Sequence, residues 1–245
     1  MNPIVIIPAR MAARRLPGKP LADIGGEAMI VRVLRAAQDA GMGPVAVAAG
    51  DAAIAEAVAA AGGRAVLTDP DLLSGSDRVV AALADLDPEG AHDVVVNLQG
   101  DMPFIDPAHL RAAIELLGRE GSCDIATLVA PEASPADRAN PDVVKAIVAL
   151  SPGATSGRTL YFTRGVLHGE GQVLRHIGLY VFRRHALNRF HAAPPSPLEQ
   201  REGLEQLRAL EMGLSIHAAI VPAAPVSVDT PADLAAARAL IGRRP

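Results

Sequence analysis

Short apolar runs alternate with longer segments of helical period through the first half of the chain, and this alternation predicts an α/β fold with mostly parallel strands. The runs Ile4-Val5-Ile6-Ile7, Val45-Ala46-Val47-Ala48 and Val94-Val95-Val96-Asn97-Leu98 lack polar alternation. That is the pattern of strands covered on both faces. The segments between them are long enough for right-handed crossovers to a parallel neighbour.

Each element has its own signal. After the first run, Pro8-Ala9-Arg10 ends the strand. Met29, Ile30, Val33, Leu34 and Ala37 fall at helical spacing within Glu27 to Ala40, and Gly41 ends that helix. Asp51 opens a helix that runs to Ala61 and stops at Gly62-Gly63. Ala65-Val66-Leu67 is a short third strand, and a loop from Thr68 to Ser76 leads into a helix from Asp77 to about Leu86. Asp106-Pro107 supplies a cap and first turn for a helix to Glu120. The second half is less regular. Asp124 to Val129, Val143 to Leu150, Ile177 to Phe182 and Ile216 to Val221 read as strands. Ser196-Pro197-Leu198-Glu199 opens a helix expected to reach Met212, and Thr230-Pro231 starts the last one. The expected organisation is a single domain over 1–245, with an inserted subdomain near 140–195.

Composition narrows the function. The chain has 245 residues, 50% of them hydrophobic but only 2% aromatic, so the core must be built from Ala, Val, Leu and Ile. A net charge of -4 gives no sign of a nucleic-acid or membrane surface. The single Cys123 excludes an internal disulfide framework and a cysteine metal cluster, and fits a reducing compartment. Met1-Asn2-Pro3 lacks the basic and apolar regions of a signal peptide, and no apolar run reaches membrane-spanning length. A cytoplasmic protein is expected, with no nucleic-acid or membrane partner.

The chemistry-bearing residues follow strands. Met11 to Pro20 carries Arg14, Arg15 and Lys19, next to Arg10, with no acidic residue. Open α/β sheets place ligands beyond the carboxyl ends of their strands. Cations there on an acidic chain suggest a polyanion such as a nucleoside triphosphate. The stretch is not a Walker loop, because Pro20 follows Gly18-Lys19. Asp101, in Gln99-Gly100-Asp101, stands at another strand tip, and Asp229 lies between a strand and a helix. Taken singly, each fits a turn or helix cap as well as a ligand. Together the pair suits Mg²⁺, which takes one or two carboxylates plus phosphate oxygens. Ser74-Gly75-Ser76-Asp77-Arg78 offers hydroxyls and amides before a helix, suited to a base edge or an anion. Arg164, His176 and Tyr180 sit among apolar residues, as core polar residues commonly do.

These segments resemble the 3-deoxy-manno-octulosonate (Kdo) cytidylyltransferases almost end to end. The opening Ile6-Ile7-Pro8-Ala9-Arg10 with Arg15-Leu16-Pro17-Gly18-Lys19-Pro20-Leu21 is similar to the family's first signature. Ser74 to Arg78 and Asn97-Leu98-Gln99-Gly100-Asp101 resemble its nucleotide-site elements. Tyr161 to Arg164, Arg175 to Tyr180, Ser196 to Glu199, Leu204 to Arg208 and Val228 to Pro231 resemble later blocks. The opening and the Gln-Gly-Asp tip are shared with related sugar cytidylyltransferases; the later blocks point to Kdo.

The resemblance implies a nucleotidyltransferase (nucleotide-diphospho-sugar transferase-like) α/β fold, a mostly parallel sheet flanked by helices, with an inserted dimerisation and sugar-site subdomain. It implies transfer from CTP to Kdo with release of pyrophosphate, Mg²⁺ as cofactor, and a homodimer. Arg10, Arg15 and Lys19 would hold the triphosphate, beside Ala9. Ser74, Arg78 and Gln99 would line the cytidine side. Asp101 and Asp229 would bind the metal and, with Lys19, form the catalytic set. Arg164, His176, Tyr180, Glu205 and Gln206 would contact the sugar acid, with Arg164 and His176 as donors to its carboxylate. The other readings are a cytidylyltransferase for another acid sugar, such as 8-amino-Kdo or a sialic acid, and a nucleotide-binding regulator without turnover.

Overall fold

The structure is a computed structural model, and it describes residues 1–12, 15–132, 134–169 and 171–242. Its elements divide between two compact units. The first comprises Met1–Leu110 and the segment from Pro225 on; the second is Arg111–Ala224. The segment 140–195, expected as an insertion, lies within the second unit.

Among the described residues of the first unit, the strands are β1 (Pro3–Ala9), β2 (Val45–Ala49), β3 (Arg64–Leu67) and β4 (Val94–Leu98). They pair in the order β3-β2-β1-β4, all parallel, with Ile6 opposite Ala46 and Val5 opposite Val96. The helices α1 (Met29–Asp39), α2 (Ala52–Ala60) and α3 (Gly75–Leu86) make the crossovers. Val5, Ile6 and Ile7 are wholly buried, as an unbroken apolar run between two covered faces requires. Because the strands are parallel, Ala9, Ala49 and Leu98 end at one edge, and the loops that follow them meet there. Helix α3 begins two residues before the expected Asp77. Ser74 is its cap, and its hydroxyl accepts from the Asp77 amide at 3.1 Å.

The last helix, α8 (Pro231–Ile241), belongs to this unit. Val228, Leu234 and Ala237 pack with Ile24 and Met29, and Leu16, Phe104 and Ile241 close the cluster. Thr230 and Asp233 form a capping box: the Asp233 amide donates to Thr230 Oγ1 at 3.2 Å, and the Thr230 amide donates to Asp233 Oδ2 at 2.8 Å. Helix α4 (Pro107–Arg119) carries the chain onward into the second unit.

There the strands are β5 (Ile125–Pro131), β6 (Lys145–Ala149), β7 (Ser156–Thr163), β8 (Leu174–Arg183) and β9 (Ile216–Ile220). They pair in the order β8-β5-β9-β7-β6, and β6 returns to β8, so the pairings close on themselves. Only β5 with β9 is parallel among these pairings of the described residues. Short connections such as that between β6 and β7 leave no room for a helical crossover, which is why antiparallel pairing takes over here. In the β5–β8 pair the register shifts between Thr127 and Leu128, so Thr127 faces Tyr180 while Leu128 faces Ile177.

Several elements differ from the sequence expectation. Strand β7 buries only Thr159 and Phe162, and its polar first half, Ser156 to Thr159, gave no apolar run to detect. Helix α5 (Arg184–Ala192) buries Ala186, Leu187 and Phe190 at helical spacing. The single helix expected from Ser196 to Met212 is two, α6 (Pro197–Glu202) and α7 (Gln206–Glu211). Gly203 breaks it with φ 65°, a left-handed conformation that glycine adopts without a Cβ clash. Across that break Arg208 forks onto Glu199, with two nitrogen–oxygen distances of 2.8 Å, and both side chains are nearly buried. Among the described residues no helix is long and apolar enough to cross a membrane.

Breaking a buried pair leaves an uncompensated charge. Glu199→Ala should therefore lower the unfolding free energy in urea by about 3–5 kcal/mol, and adding Arg208→Met should recover most of the loss. A loss below about 1 kcal/mol would mean that water already solvates the pair.

Candidate active site

The strand tips of the first unit enclose a cleft of about 420 Å³ lined by Ala9, Arg10, Arg15, Lys19, Ser74, Arg78, Gln99, Asp101 and Asp229. Arg14 lies outside the described residues. The opening loop is held at both ends. The Gly50 amide donates to Ala9 O at 2.9 Å, and the Met11 amide donates to Asp51 Oδ2 at 2.8 Å. Farther on, Gly18 adopts φ 72°, donates to Met11 O, and starts a single 3-10 turn over Lys19–Leu21. This turn aims Lys19 inward, and its side chain is 16% exposed.

Lys19 Nζ lies 3.2 Å from Asp101 Oδ2 and 2.9 Å from Asp229 Oδ1. Arg15 Nη2 reaches the other oxygen of Asp229 at 3.2 Å. Gly100 allows the turn that carries Asp101, since a Cβ there would lie 3.1 Å from the Pro8 carbonyl. Asp229 is brought in from the far end of the sequence. The Val228 amide donates to the Asp101 carbonyl at 2.9 Å, and the Asp229 amide donates to Asp233 Oδ2 at 3.1 Å. Burial alone would draw a proton off Lys19, but the two carboxylates outweigh it and its pKa is raised, so the ammonium stays charged. Burial raises Asp101 as well; Lys19 opposes that rise and Asp229 adds to it.

The nucleoside-side candidates have local partners. Gln99 Nε2 donates to Asn97 Oδ1 at 2.8 Å, which orients the amide beside Gly75. The Ser74 hydroxyl serves as the α3 cap. Arg78, 2% exposed, donates to Thr68 Oγ1 at 2.6 Å and to the carbonyls of Asp69 and Pro70 at 2.9 and 3.3 Å. Its guanidinium therefore braces the loop after β3 as well as lining the cleft. Burial lowers its pKa, with Arg10 adding to the effect.

A second polar group lies in the other unit. Arg164 ends β7. Its amide donates to Glu202 Oε2 at 3.2 Å, its Nη1 donates to Pro141 O at 3.0 Å, and its carbonyl accepts from the buried Lys145 Nζ at 2.8 Å. Rings of His176 and Tyr180 have centroids 5.3 Å apart, and Phe162 meets the imidazole edge-on at 4.9 Å. Burial, reinforced by the charge of Glu205, raises the Tyr180 phenol. Gln206 starts α7 and is buried. Burial pushes His176 down to about 3, so its ring is neutral.

Sequence reading gave no site role to Asp51, Thr127, Lys145, Glu202 or Asp233. Two of them left signals. Lys145 interrupts an apolar strand run, and Thr230-Pro231-Ala232-Asp233 has capping-box spacing. Thr127 left none, because its role arises from the bulge opposite it.

A crossover sheet whose strand tips hold a cationic cleft around a carboxylate pair suits an enzyme that binds a nucleotide and transfers one of its phosphoryl groups. Residues 4–216 match the cytidylyltransferase family. The 3-deoxy-manno-octulosonate cytidylyltransferase of Rhodospirillum centenum is 59% identical over 99% of this chain and 95% of its own length. That of Parvibaculum lavamentivorans is 58% identical over 99% and 94%. A solved structure of CMP:2-keto-3-deoxy-manno-octonic acid synthetase complexed with CTP superposes with a TM-score of 0.90, at 36% identity and 99% coverage of both chains. The chain belongs to the 3-deoxy-manno-octulosonate cytidylyltransferase family.

The partly buried imidazole has a consequence for stability. In the unfolded chain histidine titrates near 6.5, above the folded value of about 3. Between those values the unfolded state binds the extra proton, so stability falls as pH drops from about 6.5 toward 3. His176→Gln should flatten this dependence, by on the order of 2 kcal/mol between pH 7 and 4.5. Parallel urea titrations of the two proteins measure it, and identical slopes would contradict the folded-state burial.

Proposed function

We propose that this protein joins CTP and Kdo to give CMP-Kdo and pyrophosphate, activating the sugar for lipopolysaccharide assembly. The anomeric hydroxyl attacks the α-phosphorus in line, and pyrophosphate leaves. The observation that carries the reading is the Lys19 ammonium held between Asp101 and Asp229 in a cleft that also presents Arg10 and Arg15. The family relationship supports the choice of CTP and Kdo. In this reading the whole of 1–245 serves as one cytidylyltransferase domain, works in the cytoplasm and acts as a homodimer.

Little covalent work falls to the protein in such a displacement; positioning and charge stabilisation dominate. Arg10, Arg15 and Lys19 bind the triphosphate oxygens, and Lys19 stays cationic for the departing pyrophosphate. Gln99, oriented by Asn97, and the Ser74–Gly75 turn meet the cytidine; Arg78 keeps the neighbouring loop in place. Arg164, Tyr180, Glu205 and Gln206 bind the acid sugar, with Arg164 as the donor to its carboxylate.

The carboxylate pair fits Mg²⁺. Oxygens of Asp101 and Asp229 both approach a single cationic nitrogen, so they converge on one positive centre, and both are the hard donors this ion takes. Among the described residues no three His, Cys, Asp or Glu side chains gather as a metal group, which suits an ion that completes its shell with water and phosphate oxygens. When bound, the ion would neutralise charge on the phosphate oxygens.

Pyrophosphate release from CTP, Mg²⁺ and a panel of acid sugars tests the reaction. Kdo should support turnover well above 8-amino-Kdo and sialic acid; turnover only with another member of the panel would overturn the choice of sugar. Asp101→Asn and Asp229→Asn should each lose at least about a hundredfold in kcat while melting as folded proteins, since an amide is a poor Mg²⁺ ligand. Lys19→Ala should lose about tenfold or more in kcat/KM for CTP. If CTP binding and turnover survive Lys19→Ala, the opening loop is only a basic surface.

A further inference from the structure

The side chain of Thr127 settles a question about His176 that distances to the imidazole alone leave open. Thr127 is fully buried on β5. Its Oγ1 lies 2.7 Å from the Leu179 carbonyl, 3.3 Å from the Ile177 carbonyl and 2.9 Å from His176 Nε2. The register shift opposite Thr127 explains the crowding: the bulged stretch of β8 turns both carbonyls toward one hydroxyl. A hydroxyl has one hydrogen and two acceptor lone pairs, whereas a carbonyl can only accept. Pointing that hydrogen at the imidazole would set the hydroxyl's lone pairs against a carbonyl oxygen at 2.7 Å. The hydrogen therefore goes to Leu179, and the oxygen can only accept from Nε2. So Nε2 must carry the ring proton.

We propose that Thr127 is a positioning residue that fixes His176 as the Nε2–H tautomer, so that Nδ1 accepts a hydrogen bond from a hydroxyl of the acid sugar instead of donating to its carboxylate. Among the described residues Nδ1 has no protein partner, and the residue is only partly buried, so a ligand can reach it. The ring is neutral, which leaves the Nδ1 lone pair available. The carboxylate then falls to Arg164, and selection of the sugar by its hydroxyl pattern falls to His176. An acceptor that the bound sugar covers discriminates strongly, because a substrate lacking the hydroxyl leaves it unpaired. The sugar half of the proposal rests on the Kdo reading above; the tautomer does not.

The tautomer is read from long-range ¹H–¹⁵N spectra of ring-labelled protein without substrate, for the wild type, Thr127→Ser and Thr127→Val. The wild type and Thr127→Ser should show a neutral His176 with the proton on Nε2 from pH 5 to 8. Thr127→Val should show a mixture or the Nδ1–H form. In steady state Thr127→Val should raise the KM for Kdo about tenfold and change that for CTP less than about twofold, with Thr127→Ser close to wild type. An imidazolium or an Nδ1–H ring in the wild type overturns the proposal, and so does an unchanged ring in Thr127→Val. Equal losses for both substrates with a lowered Tm would reduce Thr127 to a packing residue. If Thr127→Val does not fold, the wild-type and Thr127→Ser spectra decide the tautomer, and an unchanged Kdo KM in His176→Ala overturns the contact. Failure of the wild type to release pyrophosphate with Kdo would instead count against the substrate reading, and the spectra would still stand.

Discussion

The bond that organises the first unit is ionic, and it spans nearly the whole sequence. Lys19 and Asp101 sit on loops after neighbouring parallel strands, but Asp229 comes from the last segment. An ammonium with two carboxylates at hydrogen-bond distance is a strong local arrangement only if all its members are held still. Packing supplies that. The cluster of Ile24, Met29, Val228, Leu234 and Ala237 seats α8 against the opening loop, and the Val228–Asp101 backbone bond sets the spacing of the two acids. The apolar contacts are non-directional; the backbone bond and the capping box make the result specific.

The two units handle buried charge differently. In the first, positive and negative groups face each other across a solvent-reached cleft. In the second, charges are closed off. Arg208 and Glu199 satisfy one another, Lys145 donates hydrogen bonds to the carbonyls of Asn140 and Arg164, and Glu202 gathers the hydroxyls and amide at the end of β7. The closed circuit of strand pairing also removes free edges there, which protects short strands from pairing with other chains.

Much of the first unit was legible in the residues. Runs such as Val94 to Leu98 announce covered parallel strands, and once strands are parallel, residues after them share one edge. That is why Arg10, Gln99 and Asp101 could be placed together from sequence. The pairing of Asp229 with Lys19 could not be derived from period or spacing; it depends on packing by α8 that only the folded chain shows. In the second unit β7 was obscured by its polar first half, and the helix break at Gly203 by a strong cap at Ser196. The protonation of His176 lies deeper still. Residue type names His176 as a donor to a carboxylate; the burial that keeps the ring neutral and the bulge that brings Thr127 to Nε2 have no linear signature.

The late position of Asp229 has a consequence for how the protein is made. A chain emerging from the ribosome can assemble the four parallel strands from its first hundred or so residues, since domains fold from the amino terminus as they appear. At that stage Lys19 has Asp101 but lacks its second acid, and Ile24 and Met29 lack the helix that covers them. Only after the whole second unit has been synthesised does the segment carrying Val228 and Asp229 arrive to close the cleft. A nascent or truncated chain thus exposes an apolar seam and an incomplete charge cluster together, so quality-control proteases would meet it in a form distinct from the finished protein.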